Sequence, residues 1–210
     1  KRILEAPPIA VVQIGKEIGR MGDLAKQNVI IAMKAFLDRD EQLIEEVYRR
    51  EELINFLSEE ITNYLVLING LPLGNSDSEL IGNLFHVVND LERIGDHSEN
   101  LAEYAEYVIK NDVTFSQSAE KELIEMEKMV VNALEDALVA IRTRDGDMAQ
   151  CVESQEQAID DMEEALRNAH IERLNNEQCS VRSGVIFLDI VTNLERIGDH
   201  ATNLADTVLD

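Results

Sequence analysis

Tryptophan is absent from this chain, and aromatic residues as a class reach only 4%. That scarcity argues against a β-sandwich or barrel, whose strands draw on aromatic and β-branched side chains. Three prolines and ten glycines exclude collagen-like and linker-dominated chains and leave few places to end strands. The two cysteines, Cys151 and Cys179, make neither a disulfide framework nor a ligand cluster. They read as lone, half-buried thiols of a reducing compartment. Cations are scarce too: 19 Lys and Arg face 42 Asp and Glu, a formal charge of -23. A surface that negative repels phosphate backbones and anionic lipid heads, so nucleic acid is not an expected partner. The longest apolar runs, such as Val29 to Met33, fall far short of the roughly 20 residues of a membrane helix. No signal peptide opens the chain, since Pro7-Pro8 breaks the stretch after Lys1-Arg2. The sequence reads as a soluble piece, and its start at Lys1 without an initiator Met points to a longer parent chain.

What is present is helical periodicity almost throughout. Ile9, Val12, Ile18, Met21, Leu24, Ala25, Val29, Ala32, Met33 and Phe36 form one apolar stripe behind Pro7-Pro8. A break at Asp38-Arg39-Asp40 precedes a second stripe through Leu43, Ile44, Val47, Ile54, Leu57, Ile61 and Leu65. The segment from Leu71 to Asp77 is a loop with Asp77 as the expected N-cap of a third helix running to about Lys110. Helices resume near Ser118, pause from Thr143 to Asp147 and again at Asn175-Asn176, then run to the end.

The two sets of three helices are copies. Leu91-Glu92-Arg93-Ile94-Gly95-Asp96-His97 recurs letter for letter as Leu194-Glu195-Arg196-Ile197-Gly198-Asp199-His200, and Asn100-Leu101-Ala102 recurs as Asn203-Leu204-Ala205. Upstream, Arg39-Asp40 matches Arg144-Asp145 and Glu51 matches Glu156. The offset is 156 − 51 = 105 there and 195 − 92 = 103 at the motif, and the difference is assigned to a longer loop in the first copy. The expected architecture is all-α: two tandem three-helix bundles, residues 1–112 and 113–210, from an internal duplication.

Glu92 and Asp96 lie four apart, on one helical face, and Asn100 extends the same stripe; Glu195, Asp199 and Asn203 repeat it. Carboxylates so placed repel, and a bound cation turns that repulsion into attraction. An all-oxygen donor set suits hard ions. Acids are 42 of 210 residues, so chance supplies an acidic i, i+4 pair about once per 25 positions and the spacing alone means little. The identities mean more. Core packing preserves Leu and Ile, but it does not ask for Glu, Arg, Asp, His and Asn in the same order twice. Gly95 and Gly198 add weight, because a mid-helix glycine costs roughly 1 kcal/mol against alanine and implies a close approach by backbone or ligand.

The doubled Leu-Glu-Arg-Ile-Gly-Asp-His segment in a six-helix chain resembles the signature of the PhoU family, and the resemblance covers nearly the whole chain. It implies tandem three-helix bundles with Glu/Asp-x-x-x-Asp patterns on two helices of each, which in some members bind iron or other metal clusters. Carried over, the metal ligands are Glu92 with Asp96, Glu195 with Asp199, Glu156 with Asp160, and Glu51 with Asn55 in the remaining place. Asn55 departs from the pattern and has lost a charge, so the first site is expected to be weaker or absent. Iron or zinc is the expected metal. The resemblance further implies regulation of phosphate transport through a membrane transporter, in cis or in trans, and a sensor kinase. Similarity of Pro7 to Met21 to the join in sodium/phosphate cotransporter-like proteins favours a cytoplasmic domain appended to a membrane part at the inner face. The alternative is a free-standing PhoU-type regulator.

The remaining residues carry plainer readings. His97 and His200 follow the Asp directly, about 100° around the helix, and read as packing or capping groups rather than ligands. His86 aligns with Asp189, and His170 stands alone. The Glu-x-x-His pairing of di-iron carboxylate proteins is absent, since Gly95 and Gly198 stand where His would be. Arg93 and Arg196 suit a phosphate, a partner, or a salt bridge to the acid three residues on. No nucleophilic Cys has a paired His nearby in the sequence, and no enzyme is expected. Two rival readings remain: a metal-dependent phosphoesterase using paired carboxylates, and a structural helical module whose spare apolar surface drives homodimerisation.

Overall fold

The computed structural model describes residues 7–70, 75–176 and 178–209, with side chains from Val12 onward in the first helix and from Ser78 in the third. Six α-helices follow one another: α1 Pro7–Asp38, α2 Glu41–Asn69, α3 Asn75–Lys110, α4 Gln117–Thr143, α5 Gly146–Asn175 and α6 Val181–Leu209. No strand occurs among the described residues. Helices α1, α2 and α3 pack on one another, as do α4, α5 and α6, and α3 against α6 with α1 against α4 joins the two sets. Met21, Ala25, Val29 and Met33 of α1 and Leu123, Met126, Val130 and Leu134 of α4 are fully buried, so one continuous core runs through both bundles.

Local chemistry sets the boundaries. The repeated Arg-Asp dipeptide is the hinge of the first helical turn in each half. Arg39 and Arg144 both take the left-handed conformation, at φ 54° each. Asp40 then caps α2 by accepting from Gln42 N at 2.9 Å and Leu43 N at 3.3 Å, and Asp145 caps α5 by accepting from Met148 N at 3.1 Å. Ser116 caps α4 through Ala119 N at 3.2 Å. Among the described residues no helix is long and apolar enough to cross a membrane.

Three expectations change. Helix α3 begins at Asn75, so Asp77 lies inside its first turn; its side chain, like that of Ile9, is outside the described residues. Val12, expected in the core stripe, is 61% exposed at the less covered end of α1. The difference in offset lies in the helices: α3 starts 92 − 75 = 17 residues before its motif acid, α6 only 195 − 181 = 14, and α5 is one residue longer than α2.

Candidate functional site

In the second half the site is built from one face of α5 and one of α6. Glu156 and Asp160 are one turn apart on α5, and Asp199 faces them from α6. Carboxylate oxygens of these three lie within 4.8 Å of one another, and all three residues are half-buried. Burial, reinforced by Asp160, raises Asp199 above the usual carboxylate range, and burial with Asp160 and Asp199 raises Glu156. Glu195, one turn before Asp199, is pushed up to about 7 by burial and by the charges of Asp199, Asp160 and Glu163. So many acids crowded together are stabilised either by taking up protons or by a cation. Arg196 is exposed and, among the described residues, closes no salt bridge onto them.

The donor set fits a hard cation: oxygens only, from two helices, partly open to water. Glu156, Asp160 and Asp199 would hold such an ion, with Glu195 beside them. It would supply the charge neutralisation that these acids otherwise obtain from protons and, weakly, from Arg196.

The first half carries the same motif but a different arrangement. Glu92 and Asp96 are half-buried on α3, and Arg93 turns back onto Asp96 with Nη1 to Oδ2 at 3.2 Å. Glu51 on α2 is 2% exposed, and its carboxylate has no well-formed hydrogen bond, only a weak contact with the Asn55 side chain one turn on. Desolvation, with the charges of Asp96, Glu99 and Glu92, pushes it up to about 8, so it is mostly neutral at pH 7. Asn55 is exposed. Among the described residues these acids do not form a three-carboxylate group.

The two mid-helix glycines are close approaches of side chains. A Cβ on Gly95 would stand 2.5 Å from Glu51 Oε2, and one on Gly198 would stand 3.2 Å from Ile159 Cδ1. The glycines thus make room for α2 and α5 respectively.

His97, His200, Asn100 and Asn203 lie elsewhere, in the seam between the halves. His97 Nδ1 is 2.9 Å from Asn193 Oδ1, and Asn100 Nδ2 donates to the same oxygen at 3.1 Å. Crosswise, His200 Nδ1 is 2.8 Å from Asp90 Oδ1, and Asn203 Nδ2 donates to it at 3.3 Å. The two imidazoles face each other with centroids 5.5 Å apart. Asp90 and Asn193 occupy equivalent places, at the motif's offset of 193 − 90 = 103. Asn100 and Asn203 therefore do not extend the acidic stripe. Both belong to a symmetrical clasp between α3 and α6. That offset was the available signal, and a search confined to one helix at a time passes over it.

His170 also has a partner that sequence distance concealed. Its Nε2 lies 3.8 Å from Cys179 Sγ, across the turn between α5 and α6. The expectation of no Cys–His pairing is thus corrected, because nine residues of chain fold back at the end of α5.

The family model for the PhoU domain matches residues 18–105 and, a second time, 123–208. The chain belongs to the PhoU family. Among curated PhoU relatives, a phosphate-specific transport system accessory protein PhoU homolog 1 of Thermotoga maritima is 28% identical over 195 residues, covering 92% of this chain and 83% of the relative. The Clostridium acetobutylicum homolog is 25% identical, covering 94% of this chain and 90% of its own length. In fold the chain matches the crystal structure of PhoU from Pseudomonas aeruginosa with a TM-score of 0.91 at 24% identity, covering 96% of each chain. The phosphate transport system regulatory protein PhoU from Streptococcus pneumoniae matches at 0.87 and 23% identity, covering 97% of this chain and 95% of that one.

Proposed function

We propose that this chain is a regulatory accessory protein of phosphate transport that acts through protein contacts at the cytoplasmic face of the membrane, and that it is not an enzyme. The observation that carries this reading is the double PhoU match together with coverage of most of the length of accessory-protein relatives. That coverage favours the free-standing regulator over a domain fused to a cotransporter. The partner is a membrane phosphate transporter, with a sensor kinase as a second candidate. A groove of about 900 Å³ where α1, α3, α4 and α6 meet is lined by Lys16, Arg20, Arg142 and Arg144 together with Asp23 and Glu79 over an apolar floor, Arg142 pairing with Asp23 and Arg20 with Glu17. The excess of cations over acids in this groove, in so acidic a chain, suits an acidic partner segment.

A metal ion on Glu156, Asp160 and Asp199 is part of the proposal; the three-oxygen geometry supports it. The phosphoesterase reading is weaker. Its substrate-holding candidates were Arg93 and Arg196, and Arg93 is already turned onto Asp96.

The test is deletion of the gene in its host, with phosphate uptake measured in phosphate-rich and phosphate-starved cells. Loss of the difference between the two conditions is expected, restored by the wild-type chain. Uptake and its response unchanged by the deletion would overturn the reading.

A further inference from the structure

A second cavity, of about 350 Å³, opens between the α5–α6 turn and the connector before α4, far from the acidic site, and its wall includes His170, Arg173, Cys179, Ser180 and Ser183. His170 is 3% exposed and stacks on Phe187 with centroids 4.8 Å apart, which fixes the ring. Its Nε2 faces Cys179 Sγ at 3.8 Å, while its Nδ1 is buried with no hydrogen-bond partner. Arg173 forks onto Glu122 of α4 at 2.9 and 2.7 Å and lies over the Phe187 ring, yet its Nε is also buried without a partner. Buried polar atoms left unpaired are costly, and two such atoms on residues lining one cavity mark a place where packing alone does not satisfy the polar groups.

We propose that Cys179 is a reactive thiol, modified by small hydroperoxides with His170 as the base that takes its proton. Sulfur attacks the distal peroxide oxygen, an S–O bond forms and the O–O bond breaks. Cysteine is oxidised to sulfenic acid while the peroxide is reduced to water or an alcohol. The thiol proton passes to His170 Nε2 and from there to the departing oxygen, so the balance closes with no other reactant. Desolvation, with Arg173 beside it and opposed by Glu122, holds His170 below the usual imidazole value, which keeps the base free at neutral pH. The Arg173 guanidinium and the start of α6 at Val181 bring positive potential to the sulfur, with Glu122 as the countercharge across from α4. A metal is the poorer occupant, since Cys179 and His170 are two donors where zinc takes four. Cys151 is no resolving partner: Cys179 lies against His170, which is 170 − 151 = 19 residues, about 28 Å, along α5 from Cys151, far beyond disulfide reach.

Cys151 is instead an internal control, being exposed where Cys179 is half-buried. The reduced chain is treated with iodoacetamide at pH 7, and in parallel with hydrogen peroxide followed by dimedone; both cysteines are followed by peptide mass spectrometry. Cys179 should be labelled about ten-fold faster than Cys151 in spite of its lesser exposure. His170→Asn should bring it to the Cys151 rate or below and leave Cys151 unchanged. Equal or faster labelling of Cys151 in the parent overturns the proposal. So does an unchanged Cys179 rate in a folded His170→Asn chain. Should that variant fail to fold, the parent's pH profile decides. The Cys179 rate must fall at low pH as an imidazole titrates; a profile parallel to that of Cys151 refutes the base.

Discussion

The two halves repeat seven residues letter for letter, yet their acids do different things. In the second half Glu156 and Asp160 reach Asp199 across α5 and α6. In the first, the equivalent Glu51 is withdrawn into the core against Gly95. The contact over the glycine shows the cause. Gly198 is covered by Ile159, three residues after Glu156, whereas Gly95 is covered by Glu51 itself. The second helix of each half thus presents a different side chain to the glycine: the carboxylate end of a long acidic residue in the first half, a branched apolar residue in the second. An identical motif on one helix does not make an identical site, because the partner helix supplies the other donors.

The comparison breaks most completely on metal content. Elemental analysis of the chain purified without chelator should find iron or zinc, and the double substitution Glu195→Ala/Asp199→Ala should remove it. Glu92→Ala/Asp96→Ala should leave it in place. Equal loss from either pair would put the halves on the same footing. No metal in the parent, even after reloading, would make the acidic face a docking surface.

Next comes Glu51. Its carboxyl titrates at about 8 when folded, against an ordinary 4.5. The folded chain therefore holds a proton that the unfolded chain has lost, so stability falls as pH rises from about 4.5 to 8 and then levels. The loss from this group is on the order of a few kcal/mol, to which Glu195, also titrating at about 7, adds in the same direction. Glu51→Gln should flatten much of that slope in denaturant titrations at pH 5 and 8. Glu156→Gln, at a more open site, should change it far less.

The seam between the halves predicts a smaller, symmetrical effect. Asp90→Ala strands His200 and Asn203, and Asn193→Ala strands His97 and Asn100. Each should cost about 1–3 kcal/mol by chemical denaturation, and Asp90→Asn, which copies the other half, clearly less. A neutral Asp90→Ala would remove the clasp from the energetics. Smallest is Arg93→Ala: its pairing with Asp96 is exposed and local, so stability should move by no more than about 0.5 kcal/mol.

Much of the fold was legible because it is written locally. Apolar residues at helical spacing fixed the six elements, and the Arg-Asp dipeptides marked the turns, since a left-handed residue followed by a capping Asp needs only its own neighbours. The duplication was legible because it lies in the letters; the acids of the candidate site were found on α6 by the repeated motif and on α5 only through the family resemblance. Which of these acids meet was not legible. Periodicity gives the face of a helix but not its height against the next one, so nothing in the letters placed Glu51 under Gly95 or Ile159 under Gly198. For the same reason Asn100 and Asn203 read as members of the acidic stripe, although their partners stand about 100 residues away across the seam. His170 and Cys179 were two unremarkable residues until the end of α5 turned back on itself. The sequence by itself determined where each helix runs and which of its faces is apolar, because those depend on neighbours three and four residues apart. Only the tertiary structure decided which carboxylates share a site and which polar groups join the halves, because side-chain packing between helices sets those distances.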